Sequence, residues 1–371
     1  MKQGWTYKKL KELYPIVMGK TPPRAVSKFW DPNKETHNLW VSIADLSKNE
    51  GKEITETKEY ISNEAIGSIT KVKKGSLLVS FKLTLGKMAF AGDDLYTNEA
   101  IMSLDKRADI DLKFLYYYFS SLDWGKLATG NEKVKGKTLN KKSLGEIPIA
   151  ILSKAEQERI VERLDAAFAQ INELRSNAER QLAEARALFQ SALTQAMQPK
   201  PGWQEKTLGE IANIIHGKNQ KEVVSETGKY PIYGSGGNIM GYATDYLCEA
   251  GTTILGRKGS INNPQFINER FWNVDTAFGI SAKEDNDNKF IYYFIKSVDW
   301  SKKNTGTTLP SLTQSVVKSV NLFVPNLTDQ QTISSYLDSL HAQILEIDRV
   351  NKRIAAECDA MKQALLRQIF E

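Results

Sequence analysis

Apolar and small side chains recur at Ile160, Leu164, Ala167, Ile171, Leu174, Ala178, Ala185, Leu188 and Ala192. The spacings mostly alternate between four and three, and residues 155–197 contain neither Gly nor Pro. That pattern predicts one long helix with a heptad seam, interrupted by polar Gln181 and Gln195. A second seam runs through Ile333, Leu337, Leu340, Ile344, Ile347, Asn351, Ile354, Cys358, Met361 and Leu365, and a shift of 173 residues lays it on the first. Ser153 with Glu156 reads as a capping box opening the first helix, Thr328 as the N-cap of the second, and Pro199 and Pro201 as the stop after the first. A helix of about 43 residues is roughly 65 Å long. Alone it would leave its stripe in water, so the two helices are expected to pack on each other as an antiparallel coiled coil, with Asn351 holding register.

Between the helices the pattern changes to short apolar runs and Gly-rich turns, such as Ser76–Phe81 and Thr252–Leu255, with short helical patterns such as Phe114–Leu122. This predicts α+β domains. The two are copies. Gly4-Trp5, Leu10, Glu12, Leu13 and Gly19-Lys20 recur 198 residues later as Gly202-Trp203, Leu208, Glu210, Ile211 and Gly217-Lys218. Phe114 to Tyr117, Asp123-Trp124 and Thr129-Gly130 recur at an offset of 176, and Glu156-Gln157, Ile160, Leu164-Asp165 and Ile171 recur at 173 as Asp329-Gln330, Ile333, Leu337-Asp338 and Ile344. The reading is an internal pseudo-two-fold repeat: a globular domain at 1–153, a helix at 154–200, a second domain at 201–326 and a second helix at 327–371.

Charge sharpens the picture. Net charge is +6, but residues 153–198 hold 6 Lys/Arg against 7 Asp/Glu and residues 328–371 hold 5 against 7. The remainder therefore carries +9, a basic footprint confined to the globular parts, as a polyanionic partner requires. Cys248 and Cys358 are the only cysteines, and His37, His216 and His341 are scattered. Neither a disulfide framework nor a zinc cluster is expected, which fits the cytoplasm. No apolar stretch is long enough for a membrane span, and residues 1–13 have no apolar leader core.

Candidate contacts lie in the basic loops, where small residues beside cations and amides allow a backbone to approach phosphates and side chains to reach base edges. In the first domain these are Lys20, Thr21, Lys82, Thr84 and Lys87, with Lys133 and Lys137 from the stretch Asn131 to Lys142. In the second they are Lys218, Ser235, Asn238, Arg257, Lys258, Ser260 and Thr307. Chemistry of the chain's own is not found. Gly251 to Ser260 lacks the Gly-Lys-Ser/Thr ending of a phosphate loop. Asn263-Pro264-Gln265-Phe266 resembles the adenine-holding Asn-Pro-Pro-Phe motif of N6-methyltransferases with one proline replaced, without a Gly-rich cofactor loop to accompany it.

The order domain, helix, domain, helix resembles the specificity subunit of Type I restriction–modification systems. So do Pro201-Gly202-Trp203 with Leu208 to Ile211, Tyr230 to Gly237, Gly256 to Ser260, and Pro325 with Asp329 to Gln331. In the first half Trp40 to Leu46, Ser80 to Lys82 and Gly86-Lys87 are similar. The resemblance covers essentially the whole chain. It implies two target recognition domains, each reading one half of a split, asymmetric site on double-stranded DNA. It implies spacer helices that also seat two methyltransferase subunits, which bind S-adenosylmethionine. It further implies a restriction subunit with ATP- and Mg-dependent translocation, and a specificity chain that binds no cofactor and catalyses nothing. The first half lacks a Tyr-Gly-Ser-Gly-Gly phrase, so the two half-sites are expected to differ; the second domain is compact for the family.

Two other classes fit parts of the sequence: a protein-binding coiled-coil scaffold, and a self-sufficient DNA methyltransferase. Cofactor binding by the purified chain would mark the methyltransferase. The spacer reading has its own test. Removing four or seven residues from one long helix should change the gap tolerated between half-sites, which are expected about one DNA turn (roughly 34 Å) apart. A change in the preferred bases instead would refute the spacer.

Overall fold

The computed structural model describes residues 4–128, 132–133 and 136–371, with backbone alone at 132, 133, 136 and 137. Two compact units emerge: Met1–Arg175 with Ile354–Glu371, and Ser176–Arg353. Each long helix, Lys154–Ala196 and Leu327–Phe370, lends one part to each unit.

The first unit holds a five-stranded sheet in the order Val17–Met18, Ile101–Leu104, Leu77–Ser80, Met88–Ala91, Glu53–Ile54. A smaller sheet sets Leu39–Val41 between Glu59–Tyr60 and Tyr96–Thr97. Thr6–Lys9 pairs antiparallel with Pro148–Ile151, tying the start of the domain to the strand that leads into the long helix. The second unit repeats the plan. Its main sheet runs Ala212–His216, Ala277–Ala282, Thr252–Gly256, Gln265–Ile267. A three-stranded sheet centres on Tyr230–Tyr233, and Gln204–Thr207 pairs with Asn321–Val324.

In each unit a ten-residue helix, Leu112–Ser121 or Asn288–Ser297, packs its aromatic residues into the core. The same helix is fastened to a long helix by one buried glutamine. Gln157 accepts from the Asp111 amide (2.8 Å) and donates to the carbonyls of Asp109 (2.9 Å) and Leu152 (3.0 Å). Gln330 accepts from the Asp287 amide (2.9 Å) and donates to the Pro325 carbonyl (2.9 Å) and the Asn286 side chain (3.3 Å). Asp111 and Asp287 in turn cap the short helices. About two helical turns further along each long helix, Tyr117 donates to Asp165 and Tyr293 to Asp338, with Lys113 and Lys289 paired to the same carboxylates at 2.6 and 3.0 Å. Burial, the hydrogen bond and the carboxylate's charge together push both tyrosine hydroxyls up.

Within each unit the long-helix segments are antiparallel. In the first, Cys358 lies against the Ile171 carbonyl and Arg175 pairs with Asp359 at 3.0 Å. In the second, Asn351 donates to the Ala178 carbonyl (2.6 Å) and Arg186 pairs with Asp348 (3.1 Å). The seam departs from its predicted phase. Leu174, Leu188 and Met361 are exposed (54%, 72% and 47%), whereas Phe189, Leu193 and Leu366 are buried. An α-helix has 3.6 residues per turn, so a 3.5-residue stripe drifts about 20° per heptad, or one residue after five heptads. Accordingly the buried face of the first helix moves from 188 and 192 to 189 and 193.

Both helix starts differ from expectation in detail. Ser153 Oγ accepts from the Glu156 amide (3.3 Å), but the Glu156 carboxylate turns to Arg159 instead of closing the box. Asn326, not Thr328, caps the second helix: its Oδ1 accepts from the Asp329 amide at 2.9 Å, and Thr328 lies inside the helix. Both cysteines are buried and unpaired; burial pushes the Cys248 thiol up to about 12. Among the described residues no helix is long and apolar enough to cross a membrane.

Removing a buried amide strands several polar groups at about 1–3 kcal/mol each when water cannot replace it. Gln157→Ala should therefore cost about 2–4 kcal/mol in urea unfolding, and Gln330→Ala a similar amount. A loss under about 1 kcal/mol for both would show that the glutamines do not hold the helices.

Candidate nucleic-acid interface

Three chain segments leave the end of each main sheet side by side, and the hydrogen bonds that arrange them are the same in both units. Gly19 donates to the Ile101 carbonyl (3.1 Å), Lys20 to Thr97 (2.8 Å), Phe81 to Ala100 (3.0 Å), Ile101 to Asn98 (3.2 Å) and Leu139 to Phe81 (2.9 Å). In the second unit Gly217 donates to Ala277 (3.0 Å), Lys218 to Asn273 (3.0 Å), Arg257 to Thr276 (2.8 Å), Ala277 to Val274 (3.0 Å) and Leu312 to Arg257 (2.8 Å). Isolated bridges complete the match, Lys82 with Thr138 and Lys258 with Ser311. A tryptophan locks each lysine loop, Trp40 Nε1 donating to the Lys20 carbonyl (3.2 Å) and Trp272 Nε1 to that of Lys218 (3.0 Å). These tryptophans stand on neighbouring strands of the small sheet rather than at repeat-equivalent positions, so the same bond is made from a different place.

The correspondence ranks the candidates. Lys20 and Lys218 are equivalent and exposed. Lys82 is equivalent to Lys258, while Arg257 stands where the first domain has the fully buried Phe81. Arg257 is only half-buried and turns Nη1 onto the Asp275 carbonyl at 3.1 Å. The Ser235 and Ser260 loops converge over Gly256, where a Cβ would come within 2.3 Å of the Ser260 carbonyl and 3.1 Å of that of Ser235. The exposed Thr307 lies in a loop tied by Asn304, whose Oδ1 accepts from Gly306 and Ser311 (both 2.8 Å), and that loop reaches Lys258 through Ser311. Asn238 is exposed on the Ser235 loop and its carbonyl accepts from Gly234 (3.0 Å).

In the first domain Lys20, Thr21 and Lys82 come together, with Thr84 exposed beside Lys82, its amide donating to the Lys82 carbonyl at 2.7 Å. Lys87 turns away to pair with Glu50 at 2.6 Å. Lys133 and Lys137 have side chains outside the described residues, as do Thr129, Gly130, Asn131 and Lys135 altogether.

Gly19 and Gly217 do not owe their small size to an approaching phosphate. A Cβ on either would meet the molecule's own strand, 2.0 Å from the Thr97 carbonyl and 1.9 Å from that of Val274. Asn263 to Phe266 is structural: Asn263 accepts from Gln265 at 2.9 Å, and Phe266 packs on Tyr292.

Other residues join these loops in three dimensions. The Thr21 hydroxyl donates to Glu99, which thus sits among the candidate cations. Partial burial works against ionising Glu99, but the Thr21 hydroxyl, its own amide and the charges of Lys82 and Arg24 outweigh it and hold the carboxyl below its ordinary value. Arg24 lies over Trp30 (4.1 Å) and Trp40 (4.9 Å). His216 is held below its usual value by burial and by the nearby charges of Arg257 and Lys318. Glu99 is far in sequence from the Lys20 and Lys82 loops it joins, so no local pattern reveals it, whereas Arg24 and His216 lie within a few residues of Thr21 and Lys218. Among the described residues, no group of three or more His, Cys, Asp or Glu could hold a metal ion.

The model of the Type I restriction modification DNA specificity domain matches residues 2–183 and 200–356. The Type I restriction enzyme MjaIX specificity subunit of Methanocaldococcus jannaschii is 23% identical over 397 residues, covering 92% of this chain and 88% of that one. The HsdS subunit of Thermoanaerobacter tengcongensis superposes with a TM-score of 0.56 at 17% identity, over 100% of this chain and 97% of that one. A chain solved for the complex assembly and conformational transition of the type I R-M system superposes with a TM-score of 0.79 at 17% identity, over 100% and 98%. These superpositions speak for the fold, and the two matched segments take in both globular parts with most of both long helices. The chain belongs to the family of Type I restriction–modification DNA specificity subunits.

Proposed function

We propose that this chain is the DNA-reading, non-catalytic subunit of a Type I restriction–modification complex in the cytoplasm. Each globular domain takes one half of a bipartite, asymmetric target on double-stranded DNA. The long helices seat two methyltransferase subunits, which bind S-adenosylmethionine, and a restriction/translocase subunit that uses ATP and Mg joins that core.

One observation carries the reading: a common frame presents different tips. Five equivalent backbone bonds set the same three segments in each domain. On that frame one domain carries Thr21 and buries Phe81 in its core, where the other carries Asn219 and the half-buried Arg257. A duplicated scaffold with divergent loop ends suits two readers of two sequences, since backbone contacts position a protein and side chains at base edges specify.

The test is a map of methylated adenines in cells carrying this chain with its methyltransferase, against cells lacking the chain. A split motif with a fixed gap should vanish with the chain. Binding by the assembled complex should also fall steeply with salt; affinity indifferent to both salt and sequence would favour the protein-binding scaffold. Within the complex, Lys82→Ala should weaken binding through the first half-site, and Lys258→Ala or Arg257→Ala through the second, each by about 1–3 kcal/mol. Equal losses on all DNA sequences would make these residues phosphate contacts rather than readers.

A further inference from the structure

Glu99 is out of place on a surface meant for a polyanion. It lies between two of the candidate cationic segments, held by the Thr21 hydroxyl on one side. On the other, the Phe81 amide donates to the Ala100 carbonyl, which sets Lys82 beside Glu99 one residue on. The second domain repeats the backbone frame. The matching bonds of Gly217, Lys218, Arg257 and Ala277 make Asp275 the counterpart of Glu99, with Asn219 and Lys258 at the positions of Thr21 and Lys82, although the Asn219 side chain here accepts from the Lys221 amide (3.0 Å). Both carboxylates are exposed. A carboxylate facing DNA repels phosphate, so one at the same point of two diverged domains needs a donor to meet.

An ionised carboxylate only accepts hydrogen bonds. In the major groove guanine offers the acceptors N7 and O6 and thymine the acceptor O4. Adenine sets its N7 acceptor beside its N6 donor, and cytosine offers the N4 donor alone. The neighbouring lysine donates only, and so matches guanine O6 or N7. We infer that Glu99 with Lys82, and Asp275 with Lys258, each read one C·G pair, the carboxylate accepting from cytosine N4 and the ammonium donating to its guanine. The assignment rests on the proposed DNA-reading role and deepens it to named residues and one base-pair type in each half-site.

The test uses the assembled complex with its methyltransferase and duplexes bearing the mapped target. Each cytosine of a half-site is replaced in turn by 2-pyrimidinone, which keeps the ring and lacks the N4 amino group. One such position in the first half-site should cost the wild-type complex about tenfold in affinity. The same replacement should cost Glu99→Ala nothing further, and Asp275→Ala should couple in the same way to one position in the second half-site. Glu99→Gln keeps an acceptor for Thr21, so it decides the matter if the alanine variant does not fold; it should move the preference from cytosine toward adenine, whose N6 and N7 suit an amide. Variants that keep the wild-type base preference, or that bind all sequences more tightly alike, would overturn the assignment, as would half-sites without a C·G pair. A wild-type complex with no sequence preference at all would instead overturn the DNA-reading role.

Discussion

The buried side-chain amide at the start of each long helix is the contact on which the domains depend. Gln157 and Gln330 are 2% and 1% exposed, and each satisfies a domain amide and two acceptors at once. A group with both donors and an acceptor, held in a dry place, tolerates little displacement, because any shift leaves a polar atom unpaired. The tyrosine–aspartate–lysine clusters about two turns on repeat the constraint with charge. Together they make each domain and its helix segment one body, on which the variable loops can be placed reproducibly.

This also explains which parts of the fold were legible. The repeat blocks that stand out in the sequence, Phe114 to Tyr117 and Gln157 with Asp165, are the clamp itself. Those residues must fit one another, so both copies retain them and the duplication shows. The seam was legible at Ile160, Leu164, Ile171 and Ala178 but not at Leu174, and it failed beyond Ala178 because a tenth of a residue per turn accumulates over a long helix. The N-cap at Asn326 was misplaced by two residues because Asn and Thr both serve as caps and the backbone decides which of them does.

The interface was less legible for a different reason. Lys20, Lys82, Lys218 and Lys258 could be picked out by their Gly-rich surroundings, yet the same surroundings misattributed Gly19 and Gly217, whose close neighbour is their own sheet. Small size signals a close approach without naming what approaches. Glu99 and Asp275 left no trace, since an isolated acidic residue gains meaning only from a register that joins segments roughly 20 to 80 residues apart.

Phe370 sits edge-on to Trp5 (6.2 Å), Phe114 (5.8 Å) and Tyr118 (5.5 Å) in the core of the first unit. The first domain is thus completed by a segment synthesised more than two hundred residues after it. During translation its aromatic core waits, partly open, while the entire second domain is made, which lengthens the interval in which chaperones, proteases or a wrong partner can reach it.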